Sequence, residues 1–365
     1  MISLRPAELS ACDRAAAFLQ SGFWGAFKAR FGWETWAFSL AFSMEGEHDA
    51  STPLLVLRLK IAPFFSLAYI PWGPELPLEL SDEARWTALK ELAGVLKNKL
   101  PGDTVFIRFD PPWFAKHTGF AKHTGQIKFA ANGVSNPSPA APFTRAGADI
   151  QPPDTVLVDL TRSMDSIIEQ MKPKWRYNAR LAIKRGVTVR RVGVEEIDIF
   201  YDLLKETAGR DGIAIHGKEY YRTLLVNTWY SDRPDTRLYL AEHEGDVLAG
   251  IVTLFRGPEA VYLYGASSGI KRSLMAPYAL QLKAMEDAKA FGCEVYDLFG
   301  IPPDEDPSHP MAGLYRFKTG FGGEIIHRPG SWDYPCRPLV YRIFRCAESI
   351  RKNMRTMKKN RSRGT

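Results

Sequence analysis

The apolar positions of this chain recur with two periods, and the switches between them mark out its elements. Residues 22–31 (GFWGAFKARF) carry helical spacing, and three runs that read as strands follow: TWAFSLAF, PLLVLRLKIA and SLAYIPWG. Ser81–Lys99 returns to the helical period, with Leu89, Leu92, Val95 and Leu96 on one face. Thr104–Phe109 (TVFIRF) is a strand that ends at Asp110-Pro111-Pro112, a chain-turning signal. Residues 131–153, rich in Pro, Gly, Ala and Ser, predict a loop or a crossing between domains. DTVLVDL opens a second unit as a strand, and the run SMDSIIEQMKPKWRYNARLAIKRG is helical on both sides of Pro173, which splits it in two. VTVRRV is a strand, and Val194–Ala208 and Lys218–Val226 are helices. TRLYLAEHEG, DVLAGIVTLFRG and AVYLYGAS form a meander with turns at Glu244-Gly245-Asp246 and Gly257-Pro258. Ala276–Phe291 is an amphipathic helix that stops at Gly292, and EVYDLFGI is a buried-type strand. Leu314–Gly323 (LYRFKTGFGG) is a helical turn, a glycine break and then a strand, GEIIH.

The succession predicts a mixed α/β (α+β) fold, and 365 residues exceed one ordinary core, so two domains are expected. Residues 1–153, rejoined by about 325–350, form the first; residues 154–324 form the second; residues 351–365 are a basic tail. No run of about 18 uncharged apolar residues predicts a membrane span. The start, charged by residue 5, predicts no secretory signal. The four cysteines lie apart, without CxxC or Cys/His ligand spacing. That predicts neither zinc nor a disulfide scaffold, and a reducing cytoplasm as the setting. No metal and no cofactor are expected.

Charge changes the picture through its location. From Arg337 onward ten Lys and Arg face a single acid, Glu348, giving +9; against a total of +7, the residues before it sum to −2. Within that segment Leu339, Ile343, Ala347, Ile350, Met354 and Met357 recur at three or four residues. A basic amphipathic helix of this kind suits an anionic membrane surface or tRNA. A second basic run, Lys172, Lys174, Arg176, Arg180, Lys184 and Arg185, includes i,i+4 steps and has no acid before Val194. With Trp175 and Tyr177 beside it, it suits phosphate contact.

The candidate chemistry lies late in the chain. Lys318, fixed beside Phe317 just before a glycine-rich turn, is a compact site for stabilising an anion or oxyanion. Tyr262 and Tyr264 alternate with Leu263, which would put both on one face. His216 and Tyr220 are i,i+4 in IHGKEYY. No serine or cysteine triad is visible.

The order of elements in the second unit is that of the GNAT N-acyltransferase fold. Where acetyl-CoA members hold the pyrophosphate on a glycine-rich loop, this chain reads GIKRSLMAPY, residues 269–278. The glycines are missing and Pro277 takes a first-turn position, so acetyl-CoA is not the expected donor. The chain resembles the FemABX family of non-ribosomal peptidyltransferases. The matching pieces include FLQSGFWGAFKARFGW (18–33), FIRFDPPW (106–113), KWRYNARLAIKRGV (174–187), DGIAIHGKEYY (211–221), VYLYGASS (261–268), YDLFGI (296–301) and LYRFKTGFGG (314–323). Their order and spacing, more than any one piece, carry the resemblance. No sustained heptads occur, so it resembles the members without a coiled-coil arm.

The resemblance implies two GNAT-like acyltransferase domains, each a mixed twisted sheet flanked by helices. It implies transfer of Gly, Ala or Ser from aminoacyl-tRNA to the stem-peptide amine of a UDP- or lipid-linked muramyl-pentapeptide. The setting would be the cytoplasm, at the inner face of the membrane, with the basic tail as a peripheral contact. Lys318 would stabilise the oxyanion, and Asp110 would orient the acceptor amine or take its proton. Lys28, His216, Tyr220, Tyr262 and Tyr264 would hold the acceptor. His216 stands where relatives that use UDP-linked precursors have an Arg. Phe317, Lys174, Arg176 and Arg180 would contact tRNA. The alternative keeps the fold but takes another acyl donor, acyl-CoA or an acyl carrier, for cell-envelope polysaccharide or lipid synthesis.

Overall fold

A computed structural model describes residues 2–42, 50–77, 80–113, 141–226 and 234–361. Residues 131–140 of the expected crossing and 362–365 of the tail lie outside them. The described residues fall into two units, one within residues 2–113, 141–153 and 328–361, the other within residues 154–327.

The first unit runs β1 (Ile2–Ala7), α1 (Gly22–Ala29), β2 (Glu34–Phe42), β3 (Ala50–Ala62), β4 (Phe65–Ile70), α2 (Asp82–Lys99), β5 (Thr104–Phe109) and β6 (Thr144–Arg145). The second runs β7 (Asp154–Asp159), α3 (Met164–Gln170), α4 (Pro173–Lys184), β8 (Thr188–Val192), α5 (Ile197–Asp211), α6 (Lys218–Leu225), β9 (Asp235–His243), β10 (Asp246–Arg256), β11 (Glu259–Ser267), α7 (Ala276–Phe291), β12 (Val295–Asp297), α8 (Ala312–Thr319) and β13 (Glu324–His327). The chain then returns to the first unit with β14 (Trp332–Pro335) and α9 (Pro338–Arg361).

Each unit holds one seven-stranded mixed sheet: β1-β2-β3-β4-β5-β14-β6 and β13-β7-β12-β11-β10-β9-β8. The plan is the same in both. Four antiparallel strands are followed by a helical crossover to one parallel strand, β4 to β5 through α2 and β11 to β12 through α7. Two further antiparallel strands complete each sheet.

The crossover helices show why the sequence folds this way. Ser81 caps α2, its Oγ accepting the Ala84 N–H at 3.2 Å, with Asp82 and Glu83 in the first turn and Lys97 and Lys99 in the last. Leu89, Leu92, Ala93 and Leu96 are buried against the sheet. The larger core of the second unit gathers Tyr239, Phe255, Leu280, Met285, Tyr296 and Phe321.

The split expected at Pro173 is present: α3 ends at Gln170 and Pro173 opens α4, because its ring tolerates the first turn. Two local expectations shift. The helix expected at Val194 begins as a 3-10 turn and becomes regular only at Ile197. The strand EVYDLFGI is cut short at Asp297, since Phe299 adopts φ 59°, a left-handed conformation no strand continues through. That truncation shapes the site.

Candidate active site

The parallel pairs of the two sheets differ in one respect. In the first unit β4 and β5 stay paired from Ser66 to Ile70. In the second, β11 and β12 pair only over Glu259–Val261 and Val295–Asp297, although β11 continues to Ser267. Beyond Asp297 the chain keeps to β7 instead: Leu298 N–H donates to Val156 O at 2.9 Å and Ile301 N–H to Asp154 O at 3.0 Å. The two strands part company at this point.

Lys318 is fixed at that parting. Its Nζ donates to Gly300 O at 2.9 Å and Phe299 O at 3.2 Å, and lies 5.1 Å from the Tyr262 ring centroid. The side chain is buried. Burial pushes the Lys318 ammonium down to about 7, against the opposing pull of the Asp297 charge. The two carbonyl bonds use two of its three N–H donors. Tyr262 reaches its position because residue 265 is glycine; a Cβ there would sit 1.8 Å from the Tyr262 hydroxyl oxygen.

Asp297 organises the carbonyls. Its fully buried Oδ1 accepts the Phe299 N–H at 2.7 Å and the hydroxyl of Thr155. Holding that amide fixes the left-handed turn, and the turn aims both carbonyls at Lys318. Sequence reasoning missed Asp297. The signal was a lone acid in a run otherwise reading as a buried strand, YDLFGI, a place where an unpartnered carboxylate would be costly.

The basic helix α4 is tied to α8. Trp175 Nε1 donates to Phe317 O at 2.7 Å, and Lys172 N–H donates to Gly320 O at 2.9 Å. A Cβ on residue 320 would meet the Trp175 ring at 2.1 Å, so only glycine permits the approach. Lys174, Arg180 and Lys184 are exposed on α4, together with Tyr177. Arg176 differs from them: its guanidinium donates to Glu169 O at 2.6 Å and Met171 O at 2.8 Å, satisfying the end of α3. Phe317 is half-buried, edge-on to Tyr278 and Phe321.

The structure gathers His216, Tyr220 and Tyr264 elsewhere in the second unit. The rings of His216 and Tyr220 stack at 3.8 Å, and Tyr264 Oη lies 3.5 Å from Tyr220 Oη. Burial raises Tyr220 to about 12, so its phenol stays protonated. The simple alternation expected of Tyr262 and Tyr264 is interrupted, because Val252 pairs with Tyr264 and Thr253 with Tyr262, leaving Leu263 as a bulge. Tyr262 meets Lys318, while Tyr264 meets Tyr220 and Tyr221.

Lys28 and Asp110 belong to the first unit. Lys28, on α1, has its Nζ 5.7 Å from the Trp24 ring and 5.4 Å from the Trp33 ring, and burial lowers its pKa to about 8. Asp110 is 4% exposed; the hydroxyls of Tyr69 and Ser331 each donate to one of its oxygens. Burial raises its carboxyl to about 6, against the opposing effect of those two bonds and of Arg108. With each oxygen engaged by a hydroxyl, this geometry suits a brace of the sheet end better than a proton acceptor. Arg108 beside it forms a buried bidentate pair with Asp333, at 2.7 and 2.9 Å. Among the described residues, no three His, Cys, Asp or Glu side chains cluster to hold a metal.

Comparison with known proteins agrees with this architecture. The crystal structure of FemX superimposes with a TM-score of 0.72 at 20% identity, covering 93% of this chain and 99% of that one, so the fold is shared. A Staphylococcus aureus (strain COL) protein named lipid II:glycine glycyltransferase is 23% identical over 394 residues, covering 89% of both chains. A Staphylococcus epidermidis protein of the same name is 24% identical over 253 residues; the match takes in 53% of this chain and spans 61% of that relative's length. The FemAB family matches residues 10–244 and again residues 235–349, and the chain belongs to that family.

Proposed function

We propose that this protein is an aminoacyltransferase that moves an amino acid (Gly, Ala or Ser) from charged tRNA to the stem-peptide amine of a peptidoglycan precursor. The observation that carries the reading is Lys318, a buried ammonium held by two backbone carbonyls where β11 and β12 separate. An aminoacyl ester is already activated. The enzyme therefore needs to position the amine and stabilise charge on the carbonyl oxygen, and needs no nucleophile of its own.

In the proposed reaction the acceptor amine attacks the ester carbonyl carbon. The remaining N–H of Lys318 donates to the oxygen that becomes negative. The intermediate collapses by breaking the bond to the ribose oxygen of the tRNA. The amine loses a proton, the ribose oxygen gains one, and an amide is formed. The basic face of α4, tied to the helix that carries Lys318, supports tRNA as the donor: Lys174 and Arg180 would contact phosphate, and Phe317 the terminal adenosine. In the second unit His216, Tyr220, Tyr262 and Tyr264 would hold the acceptor, and on the first unit Lys28 is by itself a candidate acceptor contact. The names of the staphylococcal relatives point to lipid II as their acceptor, which favours a lipid-linked precursor here. A lipid-linked acceptor together with charged tRNA would place the enzyme at the cytoplasmic face of a membrane.

The test is transfer of radiolabelled Gly, Ala or Ser from total charged tRNA to UDP-linked or lipid-linked muramyl-pentapeptide, with wild type and Lys318→Ala. Ribonuclease-sensitive labelling of one acceptor, lost in the variant, is expected. Labelling of neither acceptor would overturn the reading and move the weight to another acyl donor.

A further inference from the structure

Helix α9 presents an apolar stripe outward. Leu339, Ile343, Ile350 and Met354 are 74%, 70%, 59% and 52% exposed. With Cys346, also exposed, they follow one another at three- and four-residue spacing, so they lie along one face. The stripe runs for about 22 Å at 1.5 Å per residue. Arg342 and Arg351 are exposed beside it.

The orientation is imposed by the opposite face. Tyr341 and Phe344 pack on Phe106 of β5, with ring centroids 5.3 and 5.0 Å apart. The Tyr341 hydroxyl donates to Asp333 at 2.9 Å, and Arg345 reaches the same carboxylate at 4.0 Å. A helix so anchored cannot roll to bury its outer residues in its own unit.

We propose that this outer face is a docking surface for an anionic lipid bilayer, with the helix lying in the interface plane. Two observations select that occupant. The segment from Arg337 onward carries +9 whereas the rest of the chain sums to −2, so positive charge is concentrated on the element that carries the stripe. An apolar stripe flanked by arginines inserts its aliphatic side chains below the headgroups and leaves the cations at the phosphates. A second copy is disfavoured, because two such helices would bring like charges face to face. RNA would use the arginines but has no place for exposed Leu and Ile side chains. The inference goes beyond the transfer reading and is tested without turnover, so the two can fail separately.

The experiment uses the whole protein with vesicles of phosphatidylglycerol mixed with phosphatidylcholine, and of phosphatidylcholine alone. An environment-sensitive fluorophore on Cys346 reports burial of the stripe, since Cys12, Cys293 and Cys336 are buried. The expected result is sedimentation with the anionic vesicles, a blue shift of the label, and about tenfold weaker binding to the neutral vesicles. Ile343→Gln with Ile350→Gln should abolish the blue shift and leave the melting temperature unchanged, because both side chains already face solvent. Arg342→Gln with Arg351→Gln should weaken binding to anionic vesicles alone. Three results would overturn the proposal: no sedimentation with either vesicle, sedimentation without a blue shift, or a blue shift that rises with protein concentration in the absence of lipid. The last would assign the face to a second copy.

Discussion

The carboxylate of Asp297 accepts the backbone N–H of Phe299 at 2.7 Å, and that single bond organises the turn on which Lys318 depends. The turn ends β12 early and directs two carbonyls at one ammonium. A buried lysine so placed is held by geometry as much as by charge.

Replacing Lys318 by Ala should lower kcat for aminoacyl transfer by about 10²- to 10³-fold, the usual cost of losing one oxyanion donor. The fold should survive, because an ammonium that is costly to bury is removed with it. Single-turnover rates alongside a melting curve would check both halves. A variant with normal turnover would remove Lys318 from the reaction.

The pH dependence of Lys318 separates activity from stability. Its folded pKa is about 7 against an ordinary 10.5, so the protonated donor is lost as pH rises through about 7, and kcat/KM should show an alkaline limb there. Between those two values the unfolded chain still holds a proton that the folded chain has released. This group's contribution to stability therefore rises with pH over that window. Opposite slopes in rate and in denaturant midpoint are expected, and Lys318→Met should flatten this contribution to the second.

Asp297→Asn probes positioning. Its charge opposes the fall of the Lys318 pKa, so neutralising it should move the alkaline limb of kcat/KM to lower pH. Asp297→Ala should also release the Phe299 amide and cost roughly 10- to 100-fold in kcat through misplacement of the lysine. A drop in melting temperature with an unmoved pH profile would reduce Asp297 to a structural role.

Asp110 makes a contrasting case. Its carboxyl titrates at about 6 in the fold against an ordinary 3.8. Stability from this group is fully present below 3.8 and is lost as pH climbs through about 6. Asp110→Asn should remove that slope while leaving the pH profile of transfer in place. A loss of transfer with unchanged stability would restore Asp110 as a proton acceptor.

On α4, Lys174→Gln and Arg180→Gln should each weaken tRNA binding and reduce its salt slope by about 1. Arg176→Ala should instead cost about 1 kcal/mol of stability, because its guanidinium closes the end of α3. Filter binding over a salt series, beside denaturant melts of each variant, would show the division.

The sequence alone determined most of the elements, because burying one face of a helix or a strand leaves a periodic trace. The meander TRLYLAEHEG, DVLAGIVTLFRG and AVYLYGAS and the helix Ala276–Phe291 were legible for that reason. Lys318 stood out because it stands beside Phe317 just before a glycine-rich turn, a compact arrangement for meeting an anion. What the sequence left open was long-range pairing. Nothing in EVYDLFGI shows that beyond Asp297 the chain leaves β11 and keeps to β7, because that choice is made by pairing with a distant strand, Leu298 N–H donating to Val156 O, 142 positions earlier in the chain. The bulge at Leu263 and the hydroxyls that close over Asp110 are likewise contacts between distant segments. The periodicity of α9 announced an amphipathic helix, but which side faces water was settled only when Tyr341 and Phe344 took the contact with Phe106. Periodicity is a local record of burial. Which apolar face wins a contact is decided by the partner that tertiary structure brings to it.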